Sequence, residues 1–449
     1  MTTLERLADY IVGFDAAALP ERTRTAVRHA IIDLVGASIA GFGAEAVRAA
    51  RTVAKRQYAA GAASVWFDGH GLTPAGAAFA NASAASALDL DDGHRGAGGH
   101  PGASIIPAAI AVAEACNSST ERLFAAIALG YEVAIRVSAA RDFTRLDTLS
   151  TGRWCGYGAA AAAAYLMGFD REKTTEAMAI AGVAAPGLSA AGYSRRMGNS
   201  VKEGIPWATA IGLTATELAR EGYTGPTDIL DHSDYYDSAA LLAGLGGSFA
   251  VERIYFKPYA CCRWIHAAID AVTALRREEA FAACDIRSIE VHTFARALRL
   301  SNEIEPETLE GAQYSLPFCI ATAAIDGPES LLPMSRDLLG RADIRSLSAK
   351  VRLMVDPVLD PLFPAQAPAR IRIMTDDRVM EREVRFAWGD PDNPMGEAGL
   401  VSKFTTLACA HANSQSLAAT ILGLGRSSSL AGLLDALRSP SPNLHDVCD

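Results

Sequence analysis

Residues 158–169 read "GAAAAAAYLMGF", a run of small and apolar side chains with a glycine near each end. Alanine is the strongest helix former, and glycine commonly marks the end of a helix. Similar Ala-rich stretches, with apolar residues at i, i+3 and i+4, occur at 22–41, 102–116 and 121–140. The pattern predicts a helical first half in which small side chains let the helices approach closely.

The sequence changes character at about residue 251. The stretches "IRSIEVHTF" (286–294), "AKVRLMVD" (349–356) and "ARIRIMTDD" (369–377) alternate apolar and polar residues and are rich in β-branched side chains. This alternation is typical of strands, and helical patterns lie between them. The segment therefore predicts a smaller α/β unit.

A helical pattern returns at 401–422, after a loop rich in proline, glycine and aspartate. We therefore expect a mainly α protein with an α/β second domain. Its large all-helical domain would be discontinuous, formed by residues 1–255 and 400–449, and residues 256–399 would form the smaller α/β lid domain.

Composition excludes several classes of protein. The 449 residues are 50% hydrophobic and 20% charged, with a net charge of −10, and the basic residues are scattered. Nucleic acid is therefore not expected as a partner. The sequence has neither a signal-peptide pattern at its start nor an uninterrupted apolar run of about 18 residues, so we predict no membrane association and a cytoplasmic protein.

The eight cysteines are dispersed, with one adjacent pair, Cys261 and Cys262, and no C-x-x-C motif. In a long cytoplasmic chain this usage indicates reduced, mostly buried thiols. Closely spaced metal-ligand sets are absent from the sequence. We predict no metal centre.

Residues 88–102, "LDLDDGHRGAGGHPG", are unusually polar and flexible for this chain. Asp89 and Asp92 lie at i and i+3 near the end of a predicted helix, where carboxylates are unfavourable. His94 and His100 follow in glycine-rich backbone that can fold against a ligand. The stretch is a solvated acidic loop or the floor of a site; a Ca²⁺ or Mg²⁺ loop fits less well because D-x-D-D lacks spaced oxygen ligands.

Motifs along nearly the whole chain resemble those of the MmgE/PrpD family. They occur in the family's order at 87–94, 99–114, 130–137, 151–170, 201–226, 257–272, 312–321, 360–373 and 389–404. The resemblance implies a large helical domain, a smaller α/β lid, a homodimer and catalysis without metal or organic cofactor. It also implies a small di- or tricarboxylic acid as substrate, with chemistry at a carbon next to a carboxylate.

Matching the family pattern position by position assigns six candidate site residues. Such chemistry needs a base beside an acidified C–H and donors or cations that stabilise developing negative charge. His100 is the expected general base, because imidazole has an unperturbed pKa of about 6.5. The assigned catalytic residues are His100, Lys202, Asp89 and Tyr314. Lys257 and His266 are assigned to substrate binding, although a buried core position for His266 and a packing role for Tyr314 remain open.

Two departures from the family pattern bear on the substrate. Gly93 stands where many members have threonine, and Leu149 stands where many have histidine. Additional positive charge comes from Arg153, Arg195 and Arg196, which we expect, with His94, to contact substrate.

The sequence leaves several functions open. The first is a cofactor-independent lyase, most simply a dehydratase similar to 2-methylcitrate dehydratase. An epimerase or isomerase of a small dicarboxylate similar to iminodisuccinate epimerase, a decarboxylase similar to cis-aconitate decarboxylase, and a carboxylate-binding protein without catalytic activity are the alternatives.

Overall fold

The computed structural model describes residues 1–146, 148–187, 198–279 and 281–441. Its first part consists mainly of helices, with one short antiparallel hairpin formed by β1 and β2. The elements are α1 Thr3–Val12, α2 Glu21–Gly41, α3 Glu45–Gln57, β1 Ala60–Ser64, β2 Gly71–Leu72, α4 Pro74–Ser86, α5 Gly102–Ala115, α6 Thr120–Ala139, α7 Cys155–Met167, α8 Arg171–Val183, α9 Ile205–Arg220 and α10 Ser238–Leu242.

The Ala-rich helix α7 lies at the centre of this part, in contact with α5, α6, α8 and α9. Its small side chains permit this arrangement. A side chain at Gly158 of α7 would collide with the carbonyl oxygen of Gly130 on α6, so the two helices are in contact through their backbones at this point. Gly168 ends α7 in the left-handed conformation that favours glycine.

The second part combines helices with a four-stranded sheet. The strand order is β4-β3-β5-β6; β3 and β4 are parallel, and the other pairs are antiparallel. Buried and half-buried residues alternate along β3 and β5, which places one face of the sheet against α11 and its neighbours. The elements are α11 Arg263–Glu279, β3 Ser288–Thr293, α12 Leu309–Ala312, α13 Leu316–Ile325, α14 Ala342–Ser348, β4 Val351–Val355, β5 Ala369–Met374 and β6 Val379–Val384.

The end of the chain returns to helix. The last elements are α15 Gly396–Leu407, α16 Ser414–Leu422 and α17 Leu430–Arg438. Helix α15 packs on α2, and Lys403 of α15 donates a hydrogen bond of 2.6 Å to the buried Asp33 carboxylate of α2. One hydrophobic core joins residues from the two ends of the chain, and a second lies around the sheet.

The predicted fold class, mainly α with an α/β second domain, is confirmed. The hairpin β1–β2 was not predicted, because its alanine and glycine residues carry no strand signature. In the parts of the chain that the structure describes, no single helix is both long and apolar enough to cross a membrane; one bent pair, Glu21–Gly41 with Glu45–Gln57, meets the criteria of length and composition together.

The two parts meet at the loop between α4 and α5. Gly93 of this loop forms an antiparallel β-bridge with Tyr255. Arg95 of the same loop and Arg263 of α11 both form ion pairs with the buried carboxylate of Asp390, at 2.8 and 3.2 Å. The polar stretch 88–102 therefore lies where the two parts meet.

Candidate active site

A cleft lies above this loop, and both parts of the chain contribute to its walls. It encloses about 1100 Å³ of space, including the part open to solvent. The first part contributes His94, His100, Leu149 and Glu203, among others, and the second contributes Cys262, Trp264, Arg299 and Tyr314. Sites of this shape, mostly apolar with a few convergent polar groups, are typical of small-molecule binding.

His100 is held in one orientation at the floor of this cleft. Its Nδ1 lies 3.1 Å from the carbonyl oxygen of Asp92, and its backbone N–H donates to Oγ1 of Thr151. A carbonyl oxygen only accepts hydrogen bonds, so Nδ1 carries a proton, and Nε2 is the ring nitrogen left to exchange a proton with a ligand. The side chain is 11% exposed. This arrangement suits a general base.

Asp89 lies beneath the cleft between two buried lysines. Its carboxylate is 3.2 Å from Nζ of Lys257 and 3.7 Å from Nζ of Lys202. Burial alone would raise the pKa of Asp89, but the two ammonium groups outweigh it and hold the pKa below its usual range. Burial would likewise lower the pKa of Lys257, but Asp89 and Asp91 raise it above its usual value. Asp89 and Lys257 therefore both carry charge.

Lys202 also joins this group to the second part of the chain. Its ammonium donates a hydrogen bond of 2.8 Å to Oε1 of Gln313 and lies 5.6 Å from the centre of the Tyr314 ring. Burial raises the pKa of Tyr314 well above its usual value, with Asp89 adding to the effect, so its hydroxyl keeps its proton at neutral pH. Tyr314 lines the cleft and can donate a hydrogen bond there.

The backbone at these positions is strained. Asp89 has φ 56°, and Lys202 and Glu203 have φ 46° and 58°, all in the left-handed region that non-glycine residues seldom adopt. Such residues cost about 1–3 kcal/mol each and are concentrated at functional sites. Oε2 of Glu203 accepts hydrogen bonds from both the N–H and Oγ1 of Thr151, the residue that also contacts His100. The strained turn is thereby tied to the predicted base.

Two further carboxylates of the D-x-D-D motif are buried beside His100. Oδ2 of Asp91 lies 3.7 Å from Nδ1 of His100, and burial raises the pKa of Asp91. Burial also raises the pKa of Asp92 to about 8, although Tyr131 donates to its carboxyl group at 2.5 Å and partly opposes the shift. Asp91, rather than Asp89, is the carboxylate nearest the imidazole N–H. The sequence marked Asp92 only by its spacing and did not single out Asp91.

Some predicted contacts do not occur in the cleft. His266 is fully buried; its Nε2 bonds the carbonyl oxygen of Cys261 and its Nδ1 lies 3.1 Å from Nη1 of Arg263. Burial lowers its pKa well below the usual value, so it is a neutral core histidine. Arg153 is exposed, and its guanidinium donates to the carbonyl oxygen of Pro186. The geometry therefore supports a substrate contact at neither residue.

The other predicted contacts have different outcomes. His94 lines the cleft, and its Nδ1 accepts a hydrogen bond of 3.2 Å from the backbone of Ala97. Burial lowers the pKa of His94 to about 4, so the ring is neutral at physiological pH. Lys202 and Lys257 support the floor of the cleft rather than line it. The predicted contacts Arg195 and Arg196 lie outside the described residues.

Sequence reasoning missed Cys262 and Arg299 as lining residues. The adjacent cysteine pair was a visible signal for Cys262, because it follows the boundary lysine Lys257 by five residues. Across the described ranges, no group of three or more His, Cys, Asp or Glu side chains is placed to hold a metal ion.

Comparison with known families covers most of the chain. The model of the MmgE/PrpD N-terminal domain matches residues 5–241, and that of the C-terminal domain matches residues 259–422. The chain belongs to the MmgE/PrpD family. Among MmgE/PrpD relatives, cis-aconitate decarboxylase of Aspergillus terreus is 27% identical over 421 residues, which cover 85% of this chain and 84% of that protein. The mouse and human cis-aconitate decarboxylases are 24% and 25% identical, over 89% and 80% of this chain.

The structure explains one departure from the MmgE/PrpD pattern. A side chain at Gly93, where the pattern has threonine, would overlap the ring of Tyr255, which is buried and lines the cleft. Arg95 and Arg263 lie 5.5 and 4.9 Å from the centre of that ring and help to hold it. Tyr255 thus occupies the space that a threonine side chain would need. At the second departure, Leu149 gives the cleft an apolar surface.

Proposed function

We propose that this MmgE/PrpD chain is a lyase that acts next to a carboxylate of a small di- or tricarboxylic acid. One observation carries the proposal: His100, whose Nε2 is left to exchange a proton with a ligand, and Tyr314, which keeps its proton, line the same cleft. An elimination needs a base on the carbon acid and a donor near the leaving group or the developing oxyanion.

The reaction that we propose first is dehydration. Nε2 of His100 takes the proton from the carbon next to a carboxylate, and the electron pair of that C–H bond forms a carbon–carbon double bond. The C–O bond of the neighbouring hydroxyl group breaks, and the hydroxyl leaves as water with the proton that Nε2 of His100 has taken. A hydrogen bond from Tyr314 stabilises the negative charge that develops on a substrate oxygen during this reaction.

Asp89, Lys202 and Lys257 support this reaction without taking the proton. They hold the floor beneath His100, where the ammonium groups of both lysines face the carboxylate of Asp89. Preorganised charges of this kind need no rearrangement during the reaction. The chemistry uses side chains alone.

The names of the relatives favour decarboxylation as a second candidate. In that case Nε2 of His100 first takes a proton from solvent; a C–C bond to a carboxylate then breaks, CO₂ leaves, and the electron pair on carbon takes that proton from the imidazolium. The same cleft residues serve both reactions. The nature of the leaving group decides between them.

A panel of acids in D₂O tests the proposal. The purified protein is incubated with β-hydroxy tricarboxylates, cis-aconitate and aspartate-like dicarboxylates, and the products are followed by NMR and mass spectrometry. Loss of water supports dehydration, and release of CO₂ supports decarboxylation. Deuterium at the carbon next to the carboxylate without loss of mass would indicate an epimerase or isomerase and contradict a lyase.

Controls complete the experiment. Activity is expected to survive exhaustive EDTA treatment. Loss of activity in EDTA, followed by its recovery when one divalent ion is added, would contradict catalysis by side chains alone. Binding of acids without turnover would leave only the carboxylate-binding alternative.

We also propose a homodimer, which light scattering at micromolar concentration tests directly.

A further inference from the structure

The arginines that line the cleft differ in how they are bonded. Arg95 and Arg263 are paired with Asp390, and Arg296 donates hydrogen bonds of 3.0 Å to the carbonyl oxygens of Phe143 and Leu146. Arg299 is exposed in the same cleft, and within the described ranges no carboxylate or carbonyl oxygen accepts a hydrogen bond from it. Its guanidinium is therefore available to an anion that enters the cleft.

The turn that carries Arg299 is rigidly placed. It follows β3 as the short 3-10 segment Ala295–Arg299, with Ala297 fully buried and Leu300 5% exposed on either side of the arginine. Arg296 fixes the turn to the first part of the chain through the two carbonyl bonds already described. A turn that is already fixed favours binding, because little backbone conformational entropy is lost when Arg299 contacts a ligand.

The same turn is tied to Tyr314. The backbone N–H of Asn302 donates a hydrogen bond of 3.1 Å to the carbonyl oxygen of Tyr314, and the amide of Asn302 donates to the carbonyl oxygen of Ala297. Arg299 and Tyr314 are therefore held in one bonded unit on the α/β side of the cleft. His100 reaches the same cleft from the helical part.

The lysines cannot take the role of Arg299. Lys257 is fully buried against Asp89, and Lys202 is bonded to Gln313 and faces the same carboxylate. Neither lines the cleft. A substrate carboxylate in the cleft therefore meets a guanidinium, whose planar pair of N–H donors matches the two oxygens of a carboxylate.

We infer that Arg299 binds a second carboxylate of the substrate, remote from the carbon at which His100 acts, and so selects di- and tricarboxylates over monocarboxylates. This inference rests on the proposed function. It makes Arg299 a determinant of specificity that touches substrate and takes no part in proton transfer. Because the contact exists in both ground and transition states, its loss raises KM more than it lowers kcat.

Binding of an unreactive acid tests the inference apart from turnover. Isothermal titration calorimetry compares propane-1,2,3-tricarboxylate with butyrate for the wild type, Arg299→Gln and Arg299→Lys. We expect Arg299→Gln to weaken tricarboxylate binding by about tenfold or more, as for loss of a charged hydrogen bond, and Arg299→Lys to weaken it less. Butyrate binding is expected to change less than twofold, because its single carboxylate takes the position beside His100 and Tyr314 and leaves Arg299 without a partner.

Arg277→Gln is the matched control, because Arg277 is an exposed arginine on α11 outside the cleft. It is expected to bind both acids as the wild type does. Wild-type affinity for the tricarboxylate in Arg299→Gln, or equal weakening in Arg277→Gln, would overturn the inference while leaving the proposed function standing. Failure of the wild type both to bind the tricarboxylate and to turn over any acid of the panel would overturn the proposed function, and the inference with it.

Discussion

The ammonium group of Lys257 is fully buried and lies 3.2 Å from the carboxylate of Asp89. Removing one member of such a pair leaves the other charge buried without compensation, at a cost of about 3–5 kcal/mol. We therefore expect Lys257→Met to lower the free energy of unfolding by that amount in urea denaturation. Lys55→Met, which removes a half-exposed lysine paired with Asp68, is expected to cost about 1 kcal/mol or less.

A double-mutant cycle extends this test. Asp89→Asn combined with Lys257→Met removes both charges, so the double variant should be less destabilised than the sum of the two single variants. Strict additivity would show that the two side chains do not interact energetically.

His100→Asn removes the titratable nitrogen and keeps a side chain of similar reach that can hydrogen-bond. We expect kcat to fall about 10²-fold or more, with circular dichroism and the thermal midpoint close to those of the wild type. His70→Asn, at an exposed histidine outside the cleft, is the control. If folded His100→Asn turned over the true substrate at the wild-type rate, His100 would be a structural residue of the turn.

Gly93→Ala is expected to destabilise the protein by about 1–3 kcal/mol, because its Cβ would overlap the ring of buried Tyr255. Adding Tyr255→Ala should relieve the overlap, so the double variant would lose less stability than the single effects predict. Gly432→Ala, in helix α17 and without a close neighbour, should be neutral or slightly stabilising. Thermal unfolding of Gly93→Ala, Tyr255→Ala, the double variant and Gly432→Ala gives the comparison.

Asp92→Asn tests the raised pKa of a buried carboxyl group. Burial raises the pKa of Asp92 from an ordinary 3.8 to about 8, so between these values the folded state holds a proton that the unfolded state has lost. The wild type should therefore lose stability as pH rises from 4 to 8 through this group. Asparagine resembles the neutral acid and does not titrate.

The expected outcome is a smaller loss of stability between pH 5 and pH 8 in Asp92→Asn than in the wild type, measured by urea midpoints. Exposed Asp337→Asn controls for removal of one surface carboxyl group. Equal pH dependence in Asp92→Asn and wild type would contradict the raised pKa.

Strands β3, β4 and β5 were predicted because apolar and polar residues alternate along them, and the helices around α7 because they are rich in alanine with apolar residues at i, i+3 and i+4. It did not predict β6, an edge strand whose residues "VMEREV" are mostly exposed and charged. Met380 is the only buried residue of this strand, so β6 shows no clear alternation of buried apolar and exposed polar residues.

The site residues were assigned by their places in the family's motifs, and their roles stay predictions. Asp89, His100, Lys202, Lys257 and Tyr314 come together as one connected group. His266 was assigned by its place in a motif, yet a helix position alone does not tell which face points to the cleft. No motif marked Arg299, because its availability to an anion depends on the ion pairs and hydrogen bonds that the neighbouring arginines form elsewhere. The cytoplasmic location and the domain limits remain predictions.

The ion pair between Asp33 and Lys403 has a consequence for synthesis. The two residues are 370 positions apart, and Asp33 is buried in α2 against helix α15. At about 5–20 residues per second, a ribosome needs on the order of 20–70 s to add Lys403 after Asp33 has been made. During that interval the nascent helical core lacks its closing helix, and α2 keeps an apolar face uncovered. This interval is the one in which a chaperone that shields nascent chains would protect the protein from aggregation.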